Sequence, residues 1–200
     1  RFLIASKMRD TIPHYQAIAG LNFKAFSFAR VDGHYGGIYL WKDLAAARTW
    51  FSPQWFERVR KERGAPANVR VFEVLLALDN NPGGTPANSD SSAVATIVEI
   101  PMPAGTDKEQ LAREVAAAAA EFQNVPGLLR KYLTTSAEGK FGGIYLWKDE
   151  ASASAWFTHS WRDEILKKYG QPASLEWFDT PILMPGKEGN GVWVKGGNPL

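Results

Sequence analysis

The sequence predicts an α+β protein made of one helix-and-strand unit written twice, with the two units packed through their sheets. Three observations predict it. Residues Gly36 to Phe72 and Gly142 to Phe178 align without a gap, 106 positions apart, and are identical at 18 of 37 positions. GGIYLWKD opens both copies, and Trp50-Phe51, Trp55, Gly64 and Pro66 recur as Trp156-Phe157, Trp161, Gly170 and Pro172. An offset of this size is a domain-scale duplication, too long for a solenoid repeat. Each copy also carries helical periodicity before the shared block and strand alternation inside it. Those strands are apolar on both faces, with Ile144 and Leu146 on one side and Tyr145 and Trp147 on the other, so each sheet must be covered twice.

The elements follow in order. With one residue dropped from the second copy, Gly20-Leu21 pairs with Gly127-Leu128 and Lys24 with Lys131. Ile4, Met8, Tyr15 and Ile18 then fall on Leu111, Val115, Phe122 and Val125, one face of an amphipathic helix. Pro13 predicts a kink or early stop in the first of these helices. Thr106 and Glu109 have capping-box spacing, which starts the second near Asp107, and Ala116 to Ala120 favours it further. A strand over Leu128 to Thr135, a polar turn over Ser136 to Lys140 and a strand over Gly142 to Trp147 make a hairpin. The glycine pairs Gly36-Gly37 and Gly142-Gly143 predict a bulge there, or a close approach of backbone or ligand. The next helix runs from Lys148-Asp149 to about Tyr169, where Gly170 and Pro172 stop it, and Leu175 to Asp179 is the last strand.

In the second copy a strand over Ala93 to Ile100 precedes the helix, completing βαββαβ, the ferredoxin-like plait. The expected organisation is a first repeat over residues 1–79 without its own first strand, a linker over 80–93, a second repeat over 94–184 and a tail over 185–200. The first repeat lacks that strand because Arg1 aligns with Lys108, already inside the helix. An interior strand cannot be lost without baring two rows of backbone groups. The candidate to refill its place is Gly191 to Lys195, GVWVK, which would bring the C-terminus close to Arg1.

Composition narrows the chemistry. With no cysteine, disulfides, thiolate metal sites and a cysteine nucleophile are excluded. Apolar runs stay far below membrane-spanning length, and a basic, apolar leader is absent or already removed, so the expectation is a soluble protein of the cytoplasm or periplasm. Residues 1–79 carry 12 Lys/Arg against 7 Asp/Glu, and 94–184 carry 9 against 12, so the halves are about +5 and −3. Opposite signs favour packing of one half on the other. Neither half has the dense basic patch that nucleic-acid binding requires.

PGLLRKY (Pro126 to Tyr132), a short polar turn, FGGIYLWKDEASASAWF (Phe141 to Phe157) and a terminal strand with Trp177-Phe178 resemble the YdhR-like mono-oxygenase family of the dimeric α+β barrel superfamily. AGLNFKAF and YGGIYLWKDLAAARTWF are the first-copy version, although Ala19 stands where the second copy has Pro126. The resemblance implies two plaits paired sheet to sheet as an α+β barrel, here as an intrachain pseudo-dimer open to further assembly. It also implies a cofactor-independent mono-oxygenase-like activity on a small aromatic substrate of phenol or quinol type.

Tyr39, Trp41, Tyr145 and Trp147 share strand faces, and Trp50 and Trp156 sit on the following helix. They either fill cores or line an apolar cleft for a flat ligand. Lys24 and Lys131 recur at equal strand positions, where an amine in a dry site would stabilise an enolate or phenolate. As structural residues they would snorkel at a strand edge or pair with a helix carboxylate. His14, His34 and His159 are not duplicated; His34 and His159 are the candidate proton carriers, and His159 is also the candidate axial ligand if haem were bound. No metal-ligand spacing, nucleophile elbow or nucleotide fingerprint occurs, so the expectation is no metal and no cofactor. Two further readings stay open: a non-catalytic binder of a small apolar ligand, and an interaction scaffold with a closed core.

Overall fold

A computed structural model describes residues 2–80 and 92–184 and the backbone of 191–194. The N-terminal part runs α1 (Phe2–Asp10), α2 (Ile12–Gln16), β1 (Leu21–Ala29), β2 (Tyr35–Trp41), α3 (Leu44–Trp50), α4 (Pro53–Arg63) and β3 (Phe72–Asp79). The C-terminal part runs β4 (Val94–Pro101), α5 (Lys108–Gln123), β5 (Leu128–Ser136), β6 (Lys140–Trp147), α6 (Glu150–Trp156), α7 (His159–Tyr169) and β7 (Ser174–Met184), followed by β8 (Gly191–Val194). The strands form one antiparallel sheet in the order β2-β1-β7-β4-β6-β5-β3-β8. Within it β7-β4-β6-β5 is the ferredoxin-like order, and the N-terminal strands flank it on both sides: β1 pairs with β7, and β3 with β5.

Helices and sheet bury three apolar clusters. Met8, Ile12, Leu21, Phe26 and Phe28 pack under α1 and α2. Leu111, Ala119, Leu133, Tyr145, Trp147 and Phe157 pack under α5 to α7. The third cluster lies on the opposite face and joins Phe23, Ala25 and Leu40 to Ala95, Tyr132, Leu146 and Leu183, so strands from both parts of the chain share one interior. Charge follows the predicted asymmetry. Arg30 reaches Asp179 at 2.9 Å and Glu150 at 3.0 Å, and Arg70 reaches Glu176 at 2.7 Å. One buried pair runs the other way, Arg130 to Asp79 at 2.8 Å.

Several local expectations change. The first helix is interrupted at Thr11 with Pro13 at the start of α2, since proline fits a first turn but not a helix interior. Asp107, not Thr106, caps α5: its side chain accepts from the backbone N–H of Glu109 and Gln110, and the Thr106 hydroxyl donates to the Pro103 carbonyl. The single second helix is two helices in each part. Ser52 and Thr158 cap α4 and α7 by accepting from Trp55 and Trp161, and their extended backbone breaks the helix. Gly64 and Gly170 end these helices at φ 74° and 70°, a left-handed turn suited to glycine.

The irregular register lies on β1 and β5, at Leu21/Phe23 and Leu128/Arg130, and not at the glycine pairs. The glycines serve close approach. A Cβ on Gly37 or Gly143 would stand 2.8 Å from the Tyr39 or Tyr145 ring, and one on Gly142 would strike the Val98 carbonyl. The last strand runs to Met184, beyond the expected Asp179, because its outer end pairs with β1. β8 does add to β3, through Leu76 to Asp79, but has no ladder to β2 among the described residues. Lys195, most of the linker and the position of Arg1 relative to the tail lie outside the described residues.

Candidate functional site

Both hairpins build the same aromatic layer between sheet and helices. Lys24 lies opposite Tyr39 across β1 and β2, and Lys131 opposite Tyr145 across β5 and β6. Strand alternation places Trp41 and Trp147 on the same face two residues further on. The Tyr39 and Trp41 rings stack at 5.9 Å and 5°, and those of Tyr145 and Trp147 at 5.8 Å and 4°. Asp43 and Asp149 accept from the N–H of Ala46 and Ser152, which starts α3 and α6 where they carry Trp50 and Trp156 over Trp41 and Trp147 at 6.4 Å.

Neither lysine snorkels, and neither meets a carboxylate. Each is 3% exposed. The Lys24 Nζ stands 3.1 Å from the centre of the Tyr15 ring, 4.1 Å from Phe26 and 4.6 Å from Tyr39. The Lys131 Nζ stands 3.1 Å from Phe122 and 4.6 Å from Tyr145. Loss of water favours the neutral amine, lowering the Lys24 pKa to about 6 and Lys131 well below the usual lysine value. The ring faces act in the other direction by attracting the ammonium. Burial raises the phenol pKa of Tyr39 and Tyr145, and the Tyr15 hydroxyl adds to the effect at Tyr39.

A ring on the first helix completes each layer. Tyr15 lies between Lys24 and Trp50, with ring centres 6.0 Å apart across Tyr15 and Trp50. Phe122 lies between Lys131 and Trp156, 5.7 Å from the latter. The indole N–H groups of Trp50 and Trp156 are buried without an acceptor among the described residues. Each layer therefore offers a dry amine on one side of an aromatic ring and an unsatisfied donor on the other. Sequence reading missed Tyr15 and Phe122 as site residues, although their alignment one helix upstream of the paired lysines was the available signal.

The histidines lie elsewhere. His34, on the β1–β2 turn, is 85% exposed and paired with Asp32 at 2.9 Å. His159 is exposed at the start of α7. His14, not singled out as a candidate, stands 5.8 Å from the Trp50 ring. Two open clefts are lined by neither lysine: one along the outside of α4, the other of about 310 Å³ beside Phe28, Arg30, Glu150, Asp179 and Thr180. Among the described residues no group of three His, Asp or Glu side chains could hold a metal, and no helix is long and apolar enough to cross a membrane.

The strand order and the helix-covered aromatic layers define an α+β protein of the ferredoxin-like fold. Residues 97–173 match a family model described as "Putative mono-oxygenase ydhR", which is similarity over less than half of the chain. No curated protein matches it. Among solved structures, a putative monooxygenase from Fusobacterium nucleatum is similar with a TM-score of 0.64 and 16% identity, over 93% of this chain and 89% of that one. Another from Lactobacillus acidophilus gives 0.60 and 12%, over 94% and 86%. An anthrone oxidase-like protein gives 0.56 and 12%, over 92% and 86%. At these identities the likeness is one of fold.

Proposed function

We propose that the chain is a tandem duplication, two ferredoxin-like repeats forming an intrachain pseudo-dimeric α+β barrel, and that it acts as a cofactor-independent mono-oxygenase on a small phenol- or quinol-type substrate. One observation carries the activity: in both repeats a helix-borne ring is held between a buried amine and an unsatisfied indole donor, Lys24–Tyr15–Trp50 and Lys131–Phe122–Trp156. A substrate ring taking the place of Tyr15 or Phe122 would set its oxygen against these groups. A neutral lysine accepts the proton of an acidic ring hydroxyl or enolisable ketone, and the resulting ammonium stabilises the anion where water is excluded.

The electron-rich anion then reduces dioxygen directly. Its reacting carbon, CH₂ in the keto form, becomes C=O; one oxygen atom enters that carbon and the other leaves as water with the two hydrogens it lost. The layer's part is to hold the ring, exclude water and keep the anion. Phe122 lacks the hydroxyl through which Tyr15 engages Tyr39, so the second repeat opens more readily and is assigned the activity. Neither His34 nor His159 is needed in this scheme.

Oxygen uptake with an anthrone- or quinol-type substrate in metal-free buffer tests it. Lys131→Met should abolish turnover with the circular dichroism spectrum unchanged; full activity in that variant refutes the assignment. A closed scaffold is the second reading, favoured by the complete burial of Trp147 at 0% exposure. It expects no substrate-dependent uptake and no ligand released on denaturation.

A further inference from the structure

We infer that the outer edge of β2 is a docking groove for one extended peptide strand supplied by a separate polypeptide, an inference that rests on the two-repeat reading. The same sequence, GGIYLW, occupies two different situations. In β6 it is paired on both sides, by β5 and β4. In β2 it is paired only by β1, and β2 ends the sheet among the described residues. Tyr35 to Trp41 carries no charge and no proline, the usual guards of an exposed edge.

Four differences mark what is missing. The Trp147 indole donates to the Thr96 hydroxyl of β4 at 3.2 Å, whereas the Trp41 indole is buried with no acceptor. A Cβ on Gly142 would strike the β4 backbone at Val98, whereas one on Gly36 meets nothing within 4 Å. β7 begins at Ser174 and pairs with β4 from there to Asp179, whereas the aligned Asn68 to Val71 is not strand and Val71 is 55% exposed. β8 runs along β3 in the required antiparallel sense, but it covers Leu76 to Asp79 and leaves Phe72 to Leu75 unpaired on that side.

The occupant's chemistry follows from β4, which fills the matching place. It is an extended segment of small and β-branched residues, antiparallel to β2, with Ser or Thr opposite Tyr39 to accept from Trp41. A second copy of this chain fits poorly. Its own described strand of this kind, β4, is paired on both sides, and its free β2 would bring tyrosine and tryptophan where small residues are required.

The test uses the full chain and a peptide copying Ala93 to Pro101 with a charged solubilising tail, followed by amide exchange of Gly36 to Trp41 and by the Trp41 indole resonance. Expected are slowed exchange across β2, a shifted Trp41 indole N–H, and binding weakened about fivefold when the peptide threonine corresponding to Thr96 becomes valine, the effect of one hydrogen bond. Gly36→Ala should fold normally and lose the peptide, because its new Cβ meets the incoming backbone. Absence of binding, binding that leaves Trp41 unmoved, or full affinity in Gly36→Ala overturns the inference. So does β2 exchange that is already slow without peptide: independence of protein concentration would then mean its own chain covers the edge, and dependence on it a second copy. None of these outcomes touches the oxygen-uptake assay, whose failure would be seen separately in the lysine variants.

Discussion

Replacing Lys24 by methionine should stabilise the protein at neutral pH by an amount that fades as the pH rises. The side chain is 3% exposed, and burial lowers its pKa from 10.5 to about 6. In the unfolded chain the ordinary value returns, so between these limits unfolding takes up a proton and stability falls as the pH falls. Each unit costs about 1.4 kcal/mol, which from 10.5 to pH 7 sums to about 5 kcal/mol. The three ring faces around Nζ return about 1–2 kcal/mol by attracting whatever ammonium forms, leaving about 3 kcal/mol. Methionine has a similar length and no charge, so it should fill the same space without that penalty. Urea unfolding followed by tryptophan fluorescence at pH 6, 7, 8 and 9 measures the difference between variant and parent. The gain should be largest at pH 6 and shrink with each step toward pH 10.5. A variant no more stable at pH 7, or a gain independent of pH, would show that the amine is solvated or paired and refute the reasoning.

Other perturbations have defined outcomes. Lys131→Met should stabilise in the same direction and with the same pH trend, read by the same titration. Gly142→Ala should cost about 1–3 kcal/mol by forcing β4 and β6 apart, whereas Gly36→Ala should be neutral or stabilising by under about 1 kcal/mol; thermal melts of the pair separate them. Arg130→Met removes the ion pair to Asp79 inside the barrel and should cost about 3–5 kcal/mol, with Asp79→Asn in the same background recovering part of it. Asp149→Ala should lose about 1 kcal/mol with the cap of α6, measurable as a shifted denaturation midpoint.

The legible part of the fold was local. Period and turn chemistry placed most of the helices and strands, because a residue such as Gly170 or Asp149 acts on its own few neighbours. The helix break at Thr158 was missed although its signal was local too: Ser52-Pro53 is an N-cap followed by a first-turn proline, and Thr158 stands at the matching place. The paired lysines and the aromatic set were also legible, since both copies repeat them. Their roles were not. Whether a strand lysine snorkels or is entombed depends on which ring stands over it, and Tyr15 and Phe122 come from a different element.

By itself the amino-acid order determined that one unit is written twice, that its strands are apolar on both faces, that no thiol chemistry is available, and that one copy lacks a strand. Each of these is a property of spacing and residue type, preserved in any conformation. Only the tertiary structure decided that β1 and β3 flank the C-terminal sheet, that β8 stops short of β2, and that the same GGIYLW is enclosed in one place and open along one edge in the other. Those depend on strand partners far apart in the chain, and identical sequences acquire different surroundings when their partners differ.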